Sequence, residues 1–318
     1  MYTEFFGFRE LPFELTPDPR FLFLTSRHRE GLVNLRHALS TAKGMALLVG
    51  DAGTGKTTLL RAALRDESRG RIQCLYICNP ALTRDEFVEL IARGVGLSDE
   101  AARSKAAFLI ELERTLRERR ARGEVLALAV DEAQSLPYAL LEEIRLLANI
   151  ETETEKLLPV VLAGQPELAD RLNEPSLRQL KQRIALRCEL APLTLEETAS
   201  YIAGRIRAAG GDTTKVFTRD AVLLVHQRSR GIPRTINVIC DNAFVTAMAL
   251  DKKPVTRDVV AEVCRDFDFQ SSDAPAVAQA PRPRPAVPAA VRTAAVPVPE
   301  PSPEPQVALP RRMFSFFS

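Results

Sequence analysis

Gly50-Asp51-Ala52-Gly53-Thr54-Gly55-Lys56-Thr57-Thr58 is the stretch on which the fold turns. The apolar run Met45–Val49 precedes it, and the helix-forming run Leu59–Leu64 follows. Gly, four residues, then Gly-Lys-Thr between a strand and a helix is a phosphate-binding P-loop. Gly50, Gly53 and Gly55 have no Cβ, so the backbone can bend tightly and approach an anion. The N–H groups of Gly50 through Thr58, with Asp51, Ala52 and Thr54 between the glycines, then turn toward phosphate. The positive end of the helix dipole assists them. Lys56 is expected to reach the β- and γ-phosphates, and Thr57 to hold Mg²⁺ through its hydroxyl.

A second constellation lies downstream. The run Val125–Val130 is uninterrupted and apolar, as in a central parallel strand covered on both faces, and it leads straight into Asp131-Glu132. An acidic residue ending a neighbouring parallel strand sits beside the P-loop, at the carboxyl edge of the sheet. Asp131 is expected to hold Mg²⁺ through water, and Glu132 to orient or deprotonate the attacking water. The bland alternative makes Asp131-Glu132 a helix cap. Gln165 follows the strand Leu157–Ala163 and is placed to bond the lytic water or the γ-phosphate. Asn79 ends the strand Ile72–Cys78 and is placed to restrain Glu132. Each has an alternative reading as a turn former. Transition-state charge on the γ-phosphate calls for arginine. Arg234 opens a helix in Gly231-Ile232-Pro233-Arg234 and is placed to reach back to the nucleotide. Arg183 and Arg187 flank a final short strand, Ala185–Leu190, and are placed to enter a neighbouring subunit's site; Arg178 is a weaker candidate. The alternative for these arginines is a solvated or salt-bridged surface.

Strands alternating with helical patterns imply βαβ units and a parallel sheet with right-handed crossovers. The expected core spans 27–192. It opens with a helix from Arg27 to Thr41, capped by Ser26. Thr83-Arg84-Asp85-Glu86 is a capping box for the next helix, and a helix over 101–120 buries Phe108, Leu112 and Leu116. Strands stop after Pro192. Helices are expected at 195–209, 219–229, 234–250 and 256–266, the first opened by the capping box Thr194–Glu197, and 193–268 reads as an all-helical lid. The segment 1–26 is an arm dense in Phe and Pro, expected to pack irregularly on the main domain. Residues 271–318 hold 11 of the 22 prolines, so 269–318 is expected to be an extended, disordered tail. It ends in Arg311-Arg312-Met313-Phe314, a basic and aromatic end suited to a partner or a membrane.

The charge balance is 43 basic against 41 acidic side chains, and the tail's arginines carry the excess, which gives no reason to expect strong non-specific DNA binding. The five cysteines are odd in number and form no zinc pattern; all are expected to be reduced and buried, as in a cytoplasmic protein. No apolar run approaches the ~18–20 residues that span a bilayer. The N-terminus lacks the basic and apolar regions of a secretory signal.

Taken together, the P-loop, Asp131-Glu132, Gln165 and Arg234 resemble an AAA+ ATPase, an α/β P-loop fold with a helical lid. The segment Ser26–Glu30 is similar to one in the origin-recognition branch, where it lies near the adenine. That resemblance assigns Asn79 as the restraint on the glutamate. It assigns Arg187, with Arg183 second, as the arginine acting in trans. More of the chain, from residue 1 to about 268, resembles the ExeA-like, general secretion pathway protein A ATPases and those of exosortase and exopolysaccharide loci. The residues that carry this are Phe5-Phe6-Gly7-Phe8, Thr16-Pro17-Asp18-Pro19-Arg20-Phe21, Val130-Asp131-Glu132-Ala133-Gln134, Gly164-Gln165-Pro166-Glu167-Leu168 and Gly231–Asn237. The resemblance implies ATP with Mg²⁺, hydrolysis, a homo-oligomer, and service to secretion or envelope assembly through a membrane-bound secretion or polysaccharide-export component. Location is expected to be cytoplasmic or peripheral at the inner membrane. The secretion members continue into a transmembrane helix and a peptidoglycan-binding domain, whereas this sequence runs into the Pro-rich tail, so direct peptidoglycan binding is not expected. A DNA-handling ATPase of the transposition-regulator type and a slow nucleotide switch or scaffold are the alternatives.

Overall fold

Five short runs, apolar throughout only in β1, β3 and β4, form strands β1 Met45–Gly50, β2 Ile72–Ile77, β3 Val125–Val130, β4 Val160–Gly164 and β5 Ile184–Leu190. The computed structural model describes residues 2–14, 21, 23–41, 44–64, 72–78 and 82–267. All of these lie in one compact unit, Met1–Ser272. Asn79, the run Thr16–Arg20 and the tail from 268 onward fall outside the described residues.

The strands are all parallel and ordered β2-β3-β4-β1-β5. The sequence placed Asp131 on a strand next to the P-loop strand. In the sheet, β4 stands between β1 and β3, so Asp131 reaches the loop across the end of β4. Strand order is a long-range outcome that the apolar runs do not encode.

Period-two alternation divides each central strand between two cores. Met45, Leu47 and Val49 of β1 join Leu126, Leu128 and Val130 of β3 under one layer of helices, Arg84–Val95, Lys105–Ala121 and Tyr138–Leu147. Ala46, Leu48, Ala127 and Ala129 face the opposite layer, Ser26–Thr41 and Lys56–Leu64. The Thr83–Glu86 capping box forms as expected. The expected helix over 101–120 is instead two, Asp99–Arg103 and Lys105–Ala121. Ser104 breaks it with extended backbone (φ −123°, ψ 117°), and its hydroxyl caps the second helix. A serine offers the backbone this alternative bond, which helical periodicity does not reveal. Thr25, not Ser26, caps the first long helix: its carbonyl accepts from Arg29 N–H and its hydroxyl from His28 N–H.

From Leu195 on the fold is helical: Leu195–Ala208, Thr213–Val216, Arg219–Ser229, Pro233–Ala249 and Arg257–Asp266. The N-terminal arm was expected to be irregular and to lie on the main domain. It begins as a helix, Tyr2–Phe6, and packs on this helical region. The reason is Phe244, fully buried and ringed by Tyr2, Phe6, Phe8, Phe13 and Phe217 at 4.8–5.8 Å between ring centres. Aromatic pairs at such distances contribute beyond the area they bury. Phe244→Ala should therefore cost about 3–5 kcal/mol in urea-induced unfolding. It should also expose the arm to protease. A loss below about 1 kcal/mol would mean the cluster repacks around the gap.

All five cysteines are free, but Cys78 is exposed and Cys74 half-buried, which corrects the expectation that all are buried. β2 is an edge strand ending at Ile77, so Cys78 lies beyond the covered part of the sheet. Burial pushes the Cys74 thiol up to about 12. Among the described residues no helix is long and apolar enough to cross a membrane.

Candidate functional site

β1 ends at Gly50, and the chain turns through Asp51–Gly55 into the helix Lys56–Leu64. Glycine is required at more than one position of this turn. Gly53 has φ +83°, and a Cβ there would stand 2.7 Å from the Cβ of Arg234. A Cβ on Gly50 would lie 2.8 Å from both the Leu190 carbonyl oxygen and the Thr54 hydroxyl. The loop thus makes a bare backbone cradle at a helix N-terminus, which suits a phosphate. Lys56 is buried, and its ammonium donates to the carbonyls of Gly50 (2.8 Å) and Asp51 (3.0 Å). Burial lowers its pKa, opposed by the charges of Glu132, Asp131 and Asp51.

Thr57, in the first turn of the helix, donates its hydroxyl to Oδ2 of Asp131 at 2.6 Å, although 74 residues separate them. Asp131 is buried at the end of β3, and Tyr76 of β2 donates to the same oxygen at 2.7 Å. The other carboxylate oxygen accepts the Glu132 N–H at 3.0 Å. Burial and the Asp131 carboxylate push the Tyr76 hydroxyl pKa upward, so it stays a donor. Among the described residues no cluster of three or more His, Cys, Asp or Glu is placed for a metal ion. The hydroxyl–carboxylate pair beside a phosphate cradle fits Mg²⁺ held jointly with nucleotide phosphates and water.

Glu132 adopts left-handed backbone (φ 53°, ψ 35°), a conformation costly for a non-glycine residue. Its Oε2 accepts from the side-chain amide of Gln134 at 2.6 Å and from that of Gln165 at 3.4 Å. Arg234 comes from the N-terminus of the helix Pro233–Ala249, and its N–H donates to the Gly53 carbonyl at 3.2 Å. Glu132, Arg234 and the loop line one cavity of ≈ 340 Å³. Its lining includes Gly53 through Thr58, Glu132 and Arg234 together with Phe21, Phe23, His28, Tyr201, Arg205 and Asn237. Arg205 is 8% exposed. Its guanidinium lies over Phe21 and Tyr201, and it donates to the Pro12 carbonyl at 2.9 Å, joining the arm to the cavity wall.

His28 links the first long helix to the P-loop. Its Nε2 donates to the Thr54 carbonyl at 3.3 Å, which leaves Nδ1 to accept the Thr25 hydroxyl at 2.7 Å. That is the neutral ring, and burial lowers its pKa, with the Thr54 carbonyl opposing. The folded pKa therefore lies below the unfolded value of about 6.5, and the unfolded chain takes up the proton first. The stability His28 contributes is complete above about pH 6.5 and is lost as pH falls through the folded pKa. Urea midpoints measured between about pH 7 and pH 5.5 should fall for the wild type, and fall less for His28→Asn. Some slope should remain, because burial also lowers the pKa of His226.

The predicted residues of the P-loop, Asp131, Glu132, Gln165 and Arg234 thus come together. Arg183 and Arg187 do not join them within the chain. Arg187 sits midway along the edge strand β5, opposite Leu47, exposed and 3.6 Å from Glu189. Arg183 precedes that strand at the opposite edge of the sheet from the P-loop. Asn79 is outside the described residues. Sequence reasoning gave no role to Tyr76, Tyr201, Arg205 or Asn237. Gln134 was quoted only as part of a motif.

A parallel sheet ordered β2-β3-β4-β1-β5, a P-loop after β1 and paired carboxylates after β3 define the AAA+ class of P-loop proteins, and that is the fold of this chain. A family model described as AAA domain matches residues 39–172. General secretion pathway protein A of Aeromonas hydrophila is 42% identical over 250 residues, 78% of this chain, and the resemblance read from the motifs stands. The chain spans 45% of that protein's length. Among solved structures, Cdc6p of Pyrobaculum aerophilum is 19% identical, with a TM-score of 0.60 over 78% of this chain and 70% of its own. The Aeropyrum pernix ORC2 protein, solved in ADPNP–ADP complexes, is 18% identical, with a TM-score of 0.58 over 79% and 72%. These two support the fold.

Proposed function

We propose that this chain binds ATP with Mg²⁺ between the sheet domain and the helical lid after Pro192 and hydrolyses it. The observation that carries the reading is the 2.6 Å bond joining Thr57 to Asp131 beside the buried Lys56. No packing requirement brings a hydroxyl, a carboxylate and a desolvated ammonium to one glycine cradle, whereas a nucleotide–metal complex needs all three. Lys56 exchanges its two carbonyl partners for phosphate oxygens. Thr57 and Asp131 hold Mg²⁺, which when bound neutralises phosphate charge. Glu132 takes the proton of the attacking water. Gln165 and Arg234 contact the γ-phosphate, and Asn79 is kept as a restraint on Glu132. Arg187, with Arg183 second, serves a neighbouring copy in a homo-oligomer. Both arginines lie outside the chain's own cavity, as a residue acting in trans must.

The identity to general secretion pathway protein A supports service to secretion; action in envelope assembly through a membrane-bound secretion or polysaccharide-export component is part of the same proposal. The test is steady-state ATP hydrolysis with Glu132→Gln as the blank, run alone, with envelope membranes and with duplex DNA. Stimulation by membranes supports the reading. Stimulation by DNA alone replaces it with a DNA-handling ATPase, and a rate equal to the blank throughout replaces it with a nucleotide switch. In the same assay Arg187→Ala, or failing that Arg183→Ala, lowers turnover without changing ATP affinity.

A further inference from the structure

The geometry points to Gln134 as a positioning residue that aims the Glu132 carboxylate into the nucleotide cavity. This rests on the reading of Glu132 as the base. Three observations carry it. The Gln134 amide has one possible orientation: its Oε1 accepts the Gln165 N–H at 3.1 Å, so its NH₂ must face Glu132, whose Oε2 it meets at 2.6 Å. The amide also has a slot built for it. A Cβ on Gly164 would stand 2.9 Å from Gln134 Oε1 and 2.7 Å from Leu168 Cδ2, so a side chain at the end of β4 would press on the amide. Finally, the Gln134 main chain is anchored, since Arg171 donates to its carbonyl and lies over the Tyr138 ring at 4.9 Å.

Glu132 lines the cavity while held in this way. The bond therefore holds the carboxylate in its working position. With Oε2 occupied by amide donors, Oε1 is the oxygen left to accept a proton from water. A free glutamate side chain on left-handed backbone would otherwise sample several rotamers. Gln165 takes part twice: its main chain orients Gln134, and its side chain shares Oε2. A contact between Gln165 and the γ-phosphate is thereby coupled to the aim of the base.

Gln134→Met keeps the length of the side chain and removes the donor. A hydrogen bond to a charged group is worth about tenfold or more in rate when it acts on the reacting geometry. Turnover should therefore fall about tenfold or more, with KM for ATP and the affinity of a fluorescent ATP analogue unchanged within about twofold. Gly164→Ala, which pushes the same amide, should give the same split, and the double variant should lose little more than Gln134→Met alone. A packing role would tolerate methionine. An independent reading comes from protein labelled with ¹⁵N-glutamine, the Gln134 side-chain amide resonance being assigned with Gln134→Met. That resonance should move to the range of solvent-exposed glutamines in Glu132→Ala.

A Gln134→Met enzyme as fast as the wild type would overturn the positioning role and leave hydrolysis by Glu132 standing. A wild type no faster than Glu132→Gln would end the hydrolysis reading instead. The amide resonance then decides the hold on Glu132, and a resonance indifferent to Glu132→Ala overturns it.

Discussion

Glu132→Gln should lower ATP turnover by about 10²–10⁴-fold while leaving ATP affinity within about twofold. The amide is nearly isosteric with the carboxylate, so the bonds from Gln134 and Gln165 retain an acceptor oxygen. What is lost is the oxygen able to accept a proton. Because Glu132 is not among the groups that cradle phosphate, its loss belongs in kcat. Single-turnover hydrolysis beside equilibrium titration with a fluorescent ATP analogue separates the two quantities. A variant that turns over at the wild-type rate would remove Glu132 as the base and leave the P-loop reading untouched.

Lys56→Met should have the converse signature, weakening ATP binding by about 10²-fold, the worth of a charged hydrogen-bond donor on phosphate. The ammonium is desolvated in the folded chain, where its partners are the carbonyls of Gly50 and Asp51. Methionine removes the charge and keeps the bulk, so the melting temperature without nucleotide should change little. A nucleotide-induced rise in melting temperature should shrink with the lost affinity. An unaltered rise would show that nucleotide binds elsewhere than the P-loop.

Features confined to a few consecutive residues were legible in the sequence. The P-loop is one, because glycine spacing, lysine and threonine act within a single turn. The capping boxes at Thr83–Glu86 and Thr194–Glu197 are others, each closed by its own side chains. Strand positions were legible too, since β3 needs apolar residues on both faces. What was missed depends on distant neighbours. Ser104 looks like an ordinary helical residue until its cap is seen. The arm reads as an irregular aromatic stretch, and its docking is decided by Phe244, more than 200 residues later in the chain. Tyr76 carries no motif; it matters because β2 pairs with β3 in a register that sets Tyr76 beside Ala129 and Ile77 beside Val130. Gln134 stood in the motif but acquired a role only through Gly164 at the end of β4 and Gln165 just beyond it.

The chemistry available to this protein was thus written locally: a phosphate loop, a hydroxyl, two adjacent carboxylates and an arginine at a helix start. Which of these groups meet, and what holds them, came from the order β2-β3-β4-β1-β5. That order places β4 between the P-loop strand and the carboxylate strand, so Gln165 at its end touches Glu132 while Thr57 reaches past it to Asp131. The physical reason is one of range. Backbone conformation and capping are governed by interactions within a turn or a strand. Strand order is the outcome of packing both faces of a sheet at once, which no short window of sequence contains.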